Sequence, residues 1–135
     1  MCSHETLHDL LLVDDDPVVR KIATFVFSAN GFTVTSASTS IEAIHLMANK
    51  KFHVLVSDLN MDWEHEGLSI VEAMQRTQPS ALTFILTATP DAKSVLWALR
   101  HGVHGYFRKS SDLHAVARQV RDHVSCRRQS SLEAA

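Results

Sequence analysis

Short apolar runs of strand length alternate with longer segments of helical periodicity five times along this chain, and this alternation limits the fold more than any other feature. Strands that alternate with helices predict a parallel sheet covered by helices on both faces. Right-handed crossovers then favour a doubly wound α/β topology. The predicted strands are 8–13, 32–35, 54–58, 81–87 and 106–109, and the predicted helices are 17–29, 39–50, 67–77, 89–101 and 111–126.

Capping residues predict the ends of the first two helices. Asp16 followed by Pro17 is typical of a helix start, and Gly31 suits the left-handed position after a helix end. Thr39 and Glu42 fit a capping box at the start of the second helix. The apolar spacing predicts that this helix buries Ile41, Ile44 and either Met47 or Ala48.

The later helices carry start signals of the same kind. Thr89 followed by Pro90 repeats the cap-and-proline pattern before the fourth helix, and Ser110 or Ser111 would cap the fifth. The segment 127–135 is polar and is expected to be a frayed tail after the single domain, 8–126. Apolar spacing predicts that the fifth helix buries Leu113, Val116, Ala117, Val120 and Val124.

Composition excludes several classes of protein. A length of 135 residues predicts one domain, and a net charge of −2 gives no reason to expect direct nucleic-acid binding by this chain. No apolar run reaches membrane-spanning length, and the N-terminal residues lack a signal-peptide pattern. Cys2 and Cys126 are far apart without metal-type spacing, which suits free thiols and a cytoplasmic location. His101 and His104 are better explained as exposed turn residues than as metal ligands.

Polar side chains follow the strands at the ends where a site would form. The carboxyl ends of parallel strands meet at one edge of the sheet, where open α/β sheets bind their ligands. Close carboxylates repel one another unless a cation is present, and ligands that are all oxygen suit Mg²⁺, or Mn²⁺, better than zinc. A carboxylate nucleophile beside such a metal, with a lysine and a hydroxyl opposite, is a phosphoryl-binding arrangement. The side chains concerned are Asp14, Asp15, Asp58, Thr87 and Lys109.

Five motifs in order give the chain a recognisable resemblance. They are LLLVDDDP at 10–17, HVLVSDLNM at 53–61, GLSIVEAM at 67–74, FILTA at 84–88 and GYFRK at 105–109. The chain resembles the receiver domain of bacterial two-component response regulators over residues 8 to 125. The resemblance implies a flavodoxin-like (βα)₅ fold with strand order 2-1-3-4-5 and a site between strands one and three.

The resemblance also implies roles for individual residues. Asp58 matches the phosphoacceptor, Asp15 the direct Mg²⁺ ligand, Asp14 the residue that holds metal-bound water, and Asn60 the ligand that acts through its backbone carbonyl. The remaining matches are phosphoryl-binding or switch positions: Thr87, Ala88, Lys109 and Tyr106.

The family resemblance extends to partners and output. The implied donor is a sensor histidine kinase or a histidine phosphotransfer protein, and the implied role is a signalling phosphoacceptor rather than an enzyme acting on other substrates. The output surface would be the fourth helix, fifth strand and fifth helix, which could bind a downstream protein or a second copy of the chain. The chain could equally be the receiver part of a longer regulator.

Three departures from the family pattern carry expectations of their own. Asp62 replaces the usual proline, and the loop from Asp58 to Gly67 is one residue longer. Ser110 replaces the proline after Lys109, so we expect a trans peptide there, because a non-proline cis bond costs about 3–4 kcal/mol.

Two other classes of protein fit less well. A Mg²⁺-dependent phosphatase of the haloacid-dehalogenase type needs a second aspartate two residues after its nucleophile, where this chain has Asn60. A flavodoxin would place three acids, Asp14 to Asp16, where the flavin phosphate must bind.

Overall fold

The computed structural model describes the backbone of residues 8–134 and the side chains of residues 8–126. Five parallel strands form one sheet in the order β2-β1-β3-β4-β5, which confirms the predicted flavodoxin-like topology. The strands are β1 (His8–Val13), β2 (Phe32–Ala37), β3 (Val54–Asp58), β4 (Leu82–Thr87) and β5 (Gly105–Arg108).

Helices cover both faces of the sheet, as the alternation predicted. The helices α1 and α5 pack on one face, and α2, α3 and α4 pack on the other. β1 and β3 supply side chains to both apolar cores by alternation along the strand, and each strand contains a continuous run of buried apolar residues. The helices are α1 (Pro17–Ala29), α2 (Ser40–Asn49), α3 (Glu66–Thr77), α4 (Ala92–Arg100) and α5 (Leu113–Ala134).

The predicted caps of the first two helices are confirmed. The Asp16 carboxylate accepts from the amide of Val18 at 2.9 Å, and Pro17 is the first residue of α1. The Thr39 hydroxyl accepts from the amide of Glu42 at 3.1 Å. Gly31 has φ +93°, the left-handed conformation expected after the end of α1.

The predicted starts of the later helices were wrong by one to three residues. Asp91, not Thr89, caps α4 and accepts from the amide of Ser94 at 2.7 Å. Asp112 lies directly before α5, in place of either predicted serine, and accepts from the amide of His114 at 2.9 Å. A short aspartate side chain reaches these amides, and the sequence offered several such residues in a row at both places.

The predicted buried face of α2 was wrong for the two isoleucines, but the prediction that Met47 or Ala48 is buried is confirmed for Met47. Ile41 is 81% exposed and Ile44 is 44% exposed, whereas Ala43 and Met47 are buried. The predicted buried face of α5 is confirmed for four residues, and Leu113 is partly buried against the same core.

The C-terminal segment also differs from the prediction. The α5 backbone continues to Ala134 instead of ending near Arg127, because this stretch contains neither glycine nor proline to interrupt a helix. The division into a domain of 8–126 and a tail of 127–135 stays a prediction.

Two further observations concern the described residues alone. All their peptide bonds are trans, including Lys109–Ser110, as expected without proline. None of their helices is both long enough and apolar enough to cross a membrane.

Candidate functional site

The ends of β1 and β3 bring three carboxylates together. Asp14 follows β1 directly, and Asp58 is the last residue of β3. Oxygens of Asp14, Asp15 and Asp58 lie within 4.8 Å of one another. Asp14 is 1% exposed and Asp58 is 5% exposed, whereas Asp15 faces solvent.

Lys109 reaches over this cluster from the loop after β5. Its ammonium lies 2.8 Å from Oδ2 of Asp14 and 3.2 Å from Oδ2 of Asp58. The amide of Lys109 donates to the carbonyl of Thr87 at 2.7 Å, which continues the β4–β5 ladder by one residue. The lysine is therefore held by its backbone as well as by its two ion pairs.

Burial and charge shift the ionisation of this cluster. Burial, and then the charge of Asp14, raise the pKa of Asp58 to about 6, although Lys109 and the amide of Asn60 act in the opposite direction. Burial alone would lower the pKa of Lys109, but the carboxylates of Asp14 and Asp58 outweigh it and raise that pKa above its ordinary value. At neutral pH, Asp58 is therefore an ionised but poorly solvated carboxylate.

The donor set fits a hard divalent cation. All three carboxylates offer oxygen, which Mg²⁺ and Mn²⁺ prefer. Both oxygens of Asp14 already have protein partners, since Oδ1 accepts from the amide of Asp16 at 2.9 Å and Oδ2 pairs with Lys109. Among the described residues, no hydrogen bond or ion pair occupies the carboxylate of Asp15, which leaves it available to a cation.

Asn60 ties the loop after β3 to the loop after β4. Its side-chain oxygen accepts from the amide of His65 at 2.6 Å, and its side-chain nitrogen donates to the hydroxyl of Thr89 at 3.0 Å. The imidazole of His65 lies 2.7 Å from the carboxylate of Asp91, which gives the two loops a second link. Binding of a metal by the Asn60 backbone carbonyl stays a prediction.

The start of α3 packs directly on the end of β3. A Cβ atom at Gly67 would lie 1.9 Å from the backbone oxygen of Asp58, so only glycine fits there. The amide of Gly67 also donates to the carbonyl of Leu59 at 2.8 Å.

The predicted switch residues occupy β4, β5 and the adjoining loop. Thr87 is buried and its hydroxyl accepts from the amide of Thr89 at 3.1 Å, while Ala88 between them is exposed. The hydroxyl groups of Tyr106 and Ser94 share a hydrogen bond of 2.5 Å, so the tyrosine is attached to α4 rather than to the carboxylates.

Sequence reasoning missed three residues around the site. Nothing in the sequence indicates that Ser94 would form a hydrogen bond with Tyr106. Thr89 was predicted to cap α4, and Asp91 was therefore missed. Glu66 was expected to belong to a solvated loop, but it is 1% exposed and is the first residue of α3. No periodic pattern in the sequence signals its burial.

Comparison with known families decides the assignment. The family model described as the response regulator receiver domain matches residues 10–121. The chain belongs to this family. The strand order and the three carboxylates beside a lysine in this receiver domain are in keeping with that membership.

Curated relatives are similar to this receiver over part of their own length. The transcriptional regulatory protein GlrR of Escherichia coli is 32% identical over 89% of this chain and 27% of its own length. The DNA-binding transcriptional regulator NtrC of Escherichia coli is 26% identical over 84% of this chain and 24% of its own length. This receiver thus spans about a quarter of the length of these relatives.

Solved structures share the fold. A CheY-like receiver domain from Methanospirillum hungatei matches with a TM-score of 0.85 and 19% identity over 93% of this chain and 99% of its own. A response regulator from Burkholderia pseudomallei, solved with a phosphorylated aspartic acid and a calcium ion, matches with a TM-score of 0.74 and 23% identity over 86% of this chain and 72% of its own.

Proposed function

We propose that this receiver accepts a phosphoryl group on Asp58 in a Mg²⁺-dependent reaction. The observation that carries the proposal is the buried carboxylate of Asp58 at the end of β3, paired with Lys109 and grouped with two more carboxylates. Asp15 and Asp58 would bind the ion directly, together with the backbone carbonyl of Asn60, and Asp14 would hold its bound water. The ion would supply positive charge that neutralises the oxygens of the transferred group.

The chain's own residues account for the rest of the transfer. An oxygen of Asp58 attacks the phosphorus of a phosphohistidine, a P–O bond forms, and the P–N bond breaks with its electron pair going to the leaving imidazole nitrogen. Burial leaves the ionised Asp58 oxygen poorly solvated, which favours attack. Lys109 then exchanges its contact with the carboxylate for one with a phosphoryl oxygen.

The proposed output is a change of surface around α4. Thr87 would move its hydroxyl from the Thr89 amide toward the new phosphoryl group, and Tyr106 would leave Ser94 as a consequence. Three large apolar side chains of α4 are exposed, which suits a protein-binding surface. They are Val95, Leu96 and Leu99.

Two observations support the proposed partners: the chemistry of the site at Asp58 and the greater length of the curated relatives. The donor would be a sensor histidine kinase or a histidine phosphotransfer protein, and the setting would be cytoplasmic. Because this receiver spans about a quarter of GlrR and of NtrC, its output would be an effector domain of a longer protein or a separate target. A homodimer through α4, β5 and α5 is the third candidate.

Intact mass tests the proposal. Treatment with acetyl phosphate and Mg²⁺ should add one phosphoryl group to the wild type, and none after Asp58→Asn or with the metal chelated. A phosphohistidine protein should transfer to the same position. An unmodified wild type with both donors would refute the proposal.

A further inference from the structure

Glu66 is a fully buried carboxylate that the proposed reaction does not use. It is 1% exposed, and its Oε1 accepts from the backbone amide of Asp62 at 2.8 Å. Burial of a carboxylate is costly unless hydrogen bonds compensate for the lost water. The bond to Asp62 is therefore the structural reason that this side chain can be accommodated inside the protein.

The bond exists because of a departure from the family pattern. Position 62 is usually proline in receivers, and proline has no amide hydrogen to donate. Here Asp62 keeps that hydrogen, and Glu66 is the acceptor that satisfies it. A side-chain hydrogen bond thus replaces the backbone stiffness that proline would supply in the loop after Asp58.

The segment between Asp58 and Glu66 is fixed at several points. The amide of Glu66 donates to the carbonyl of Trp63 at 3.3 Å, and Asn60 accepts from the amide of His65. Gly67 packs against the backbone of Asp58. The bond from Asp62 to Glu66 links the chain directly after the predicted metal-binding carbonyl of Asn60 to the first residue of α3.

We propose that Glu66 is a positioning residue for the site at Asp58. By holding the amide of Asp62, it fixes the backbone of residues 59–62 and so orients the Asn60 carbonyl toward the cation. This inference rests on the proposed function of Asp58. It predicts that proline at position 62, the family's usual residue, impairs this particular receiver, because it leaves the buried carboxylate of Glu66 without its donor.

The main test compares Asp62→Pro with Asp62→Ala, which remove the same exposed charge but differ in the amide hydrogen. Titration calorimetry measures Mg²⁺ affinity, and mass spectrometry follows the rate of Asp58 phosphorylation at saturating Mg²⁺. Loss of a residue that orients a metal ligand typically costs about 10- to 100-fold in affinity. We expect about a tenfold weaker Mg²⁺ affinity in Asp62→Pro and an affinity close to wild type in Asp62→Ala.

A double-mutant cycle locates the effect at Glu66. Glu66→Leu should weaken Mg²⁺ binding about tenfold, and adding Asp62→Pro to it should cause little further loss, because the two changes break the same bond. Glu66→Gln keeps an acceptor and should restore most of the affinity. Glu64→Gln removes an exposed carboxylate from the same loop and controls for charge alone.

The results separate positioning from a merely structural role. If Glu66→Leu lowers the melting temperature while the folded protein keeps the wild-type Mg²⁺ affinity, the inference is wrong. Should Glu66→Leu not fold, equal affinities in Asp62→Pro and Asp62→Ala would overturn it equally well. A wild type that binds Mg²⁺ but never accepts a phosphoryl group would refute the proposed function instead.

Discussion

Burial of Asp58, reinforced by the charge of Asp14, raises the pKa of its carboxyl from 3.8 to about 6 in the metal-free protein. Between these values the folded state binds more protons than the unfolded state. Stability therefore falls as pH rises from about 4 to 6 and then levels off. At 1.36 kcal/mol for each unit of pKa, the ionised carboxylate costs about 3 kcal/mol at pH 7.

Asp58→Asn should remove this cost. We expect the variant to be more stable than the wild type at pH 7 by up to about 3 kcal/mol, and the gain to shrink to a small fraction of that by pH 4, because Asp58 is then protonated in the folded state and partly protonated in the unfolded state. Urea unfolding in the presence of a chelator at four pH values between 4 and 7 measures the difference. A gain of equal size at every pH would show that the charge of Asp58 is not its cause.

Asp62 and Asp15 are both exposed acids near the site, but they should differ in their effect on Mg²⁺. Asp62→Asn removes only a nearby screened charge, worth a few tenths of a kcal/mol, so we expect a small loss of affinity that salt abolishes. Asp15→Asn should lose far more. Titration at two salt concentrations, with Trp63 fluorescence as one readout, decides this. An Asp62→Asn variant as weak as Asp15→Asn would make Asp62 a ligand.

At the level of residues, the sequence predicted well those side chains whose position depends on the sheet alone. Asp14 and Asp58 come at strand ends, and parallel strands must bring such ends together. Glu66 could not be placed in this way, because its burial depends on how a loop folds back on α3. A loop backbone is determined by individual hydrogen bonds that leave no periodic pattern in the sequence.

Among the elements, α4 makes the contact that best reports the proposed switch. The buried hydroxyl of Ser94 holds Tyr106, and Asp91 at the start of the same helix contacts His65. Both contacts join α4 to neighbouring loops and strands. The sequence did not predict either one, since a hydroxyl or a carboxylate on a helix is compatible with many partners.

Ser94→Ala should release Tyr106 from its contact with α4 before phosphorylation. Losing a hydrogen bond worth about 1 kcal/mol changes the ratio of two states about fivefold. Tyr106 is the single tyrosine of the chain, so fluorotyrosine labelling gives one ¹⁹F resonance. The resonance of Ser94→Ala should move part of the way toward that of the phosphorylated wild type. An unmoved resonance would separate Ser94 from the switch.

Helix α2 shows why the packing face of an element is harder to predict than its existence. Ile41 and Ala43 are two residues apart and therefore lie on nearly opposite sides of the helix, and hydropathy favours the side with Ile41 and Ile44. The structure buries the side with Ala43 and Met47 instead, and in a close-packed interior the fit of a side chain counts as well as its hydropathy. Hydropathy counts apolar area but carries no information about the distance between helix and sheet.

On the scale of the whole molecule, a doubly wound parallel sheet was predictable because few topologies accommodate five strand–helix units with right-handed crossovers, whereas the strand order 2-1-3-4-5 was implied by the family resemblance. Fold and site were then linked, since the crevice beside β1 and β3 is where strand order reverses. The C-terminal limit of α5 was not predictable in the same way. A polar segment without breakers can continue a helix or leave it at nearly equal free energy.

The central claim is that Asp58, and no other side chain, becomes phosphorylated. Borohydride reduces an aspartyl phosphate to homoserine, so peptide mapping after acetyl phosphate, Mg²⁺ and borohydride treatment locates the modified residue directly. This distinction matters because the chain has nine histidines that could also accept a phosphoryl group. We expect homoserine at position 58 alone, in a Mg²⁺-dependent yield. Homoserine at Asp14 or Asp15, or phosphate retained on a histidine, would contradict the claim.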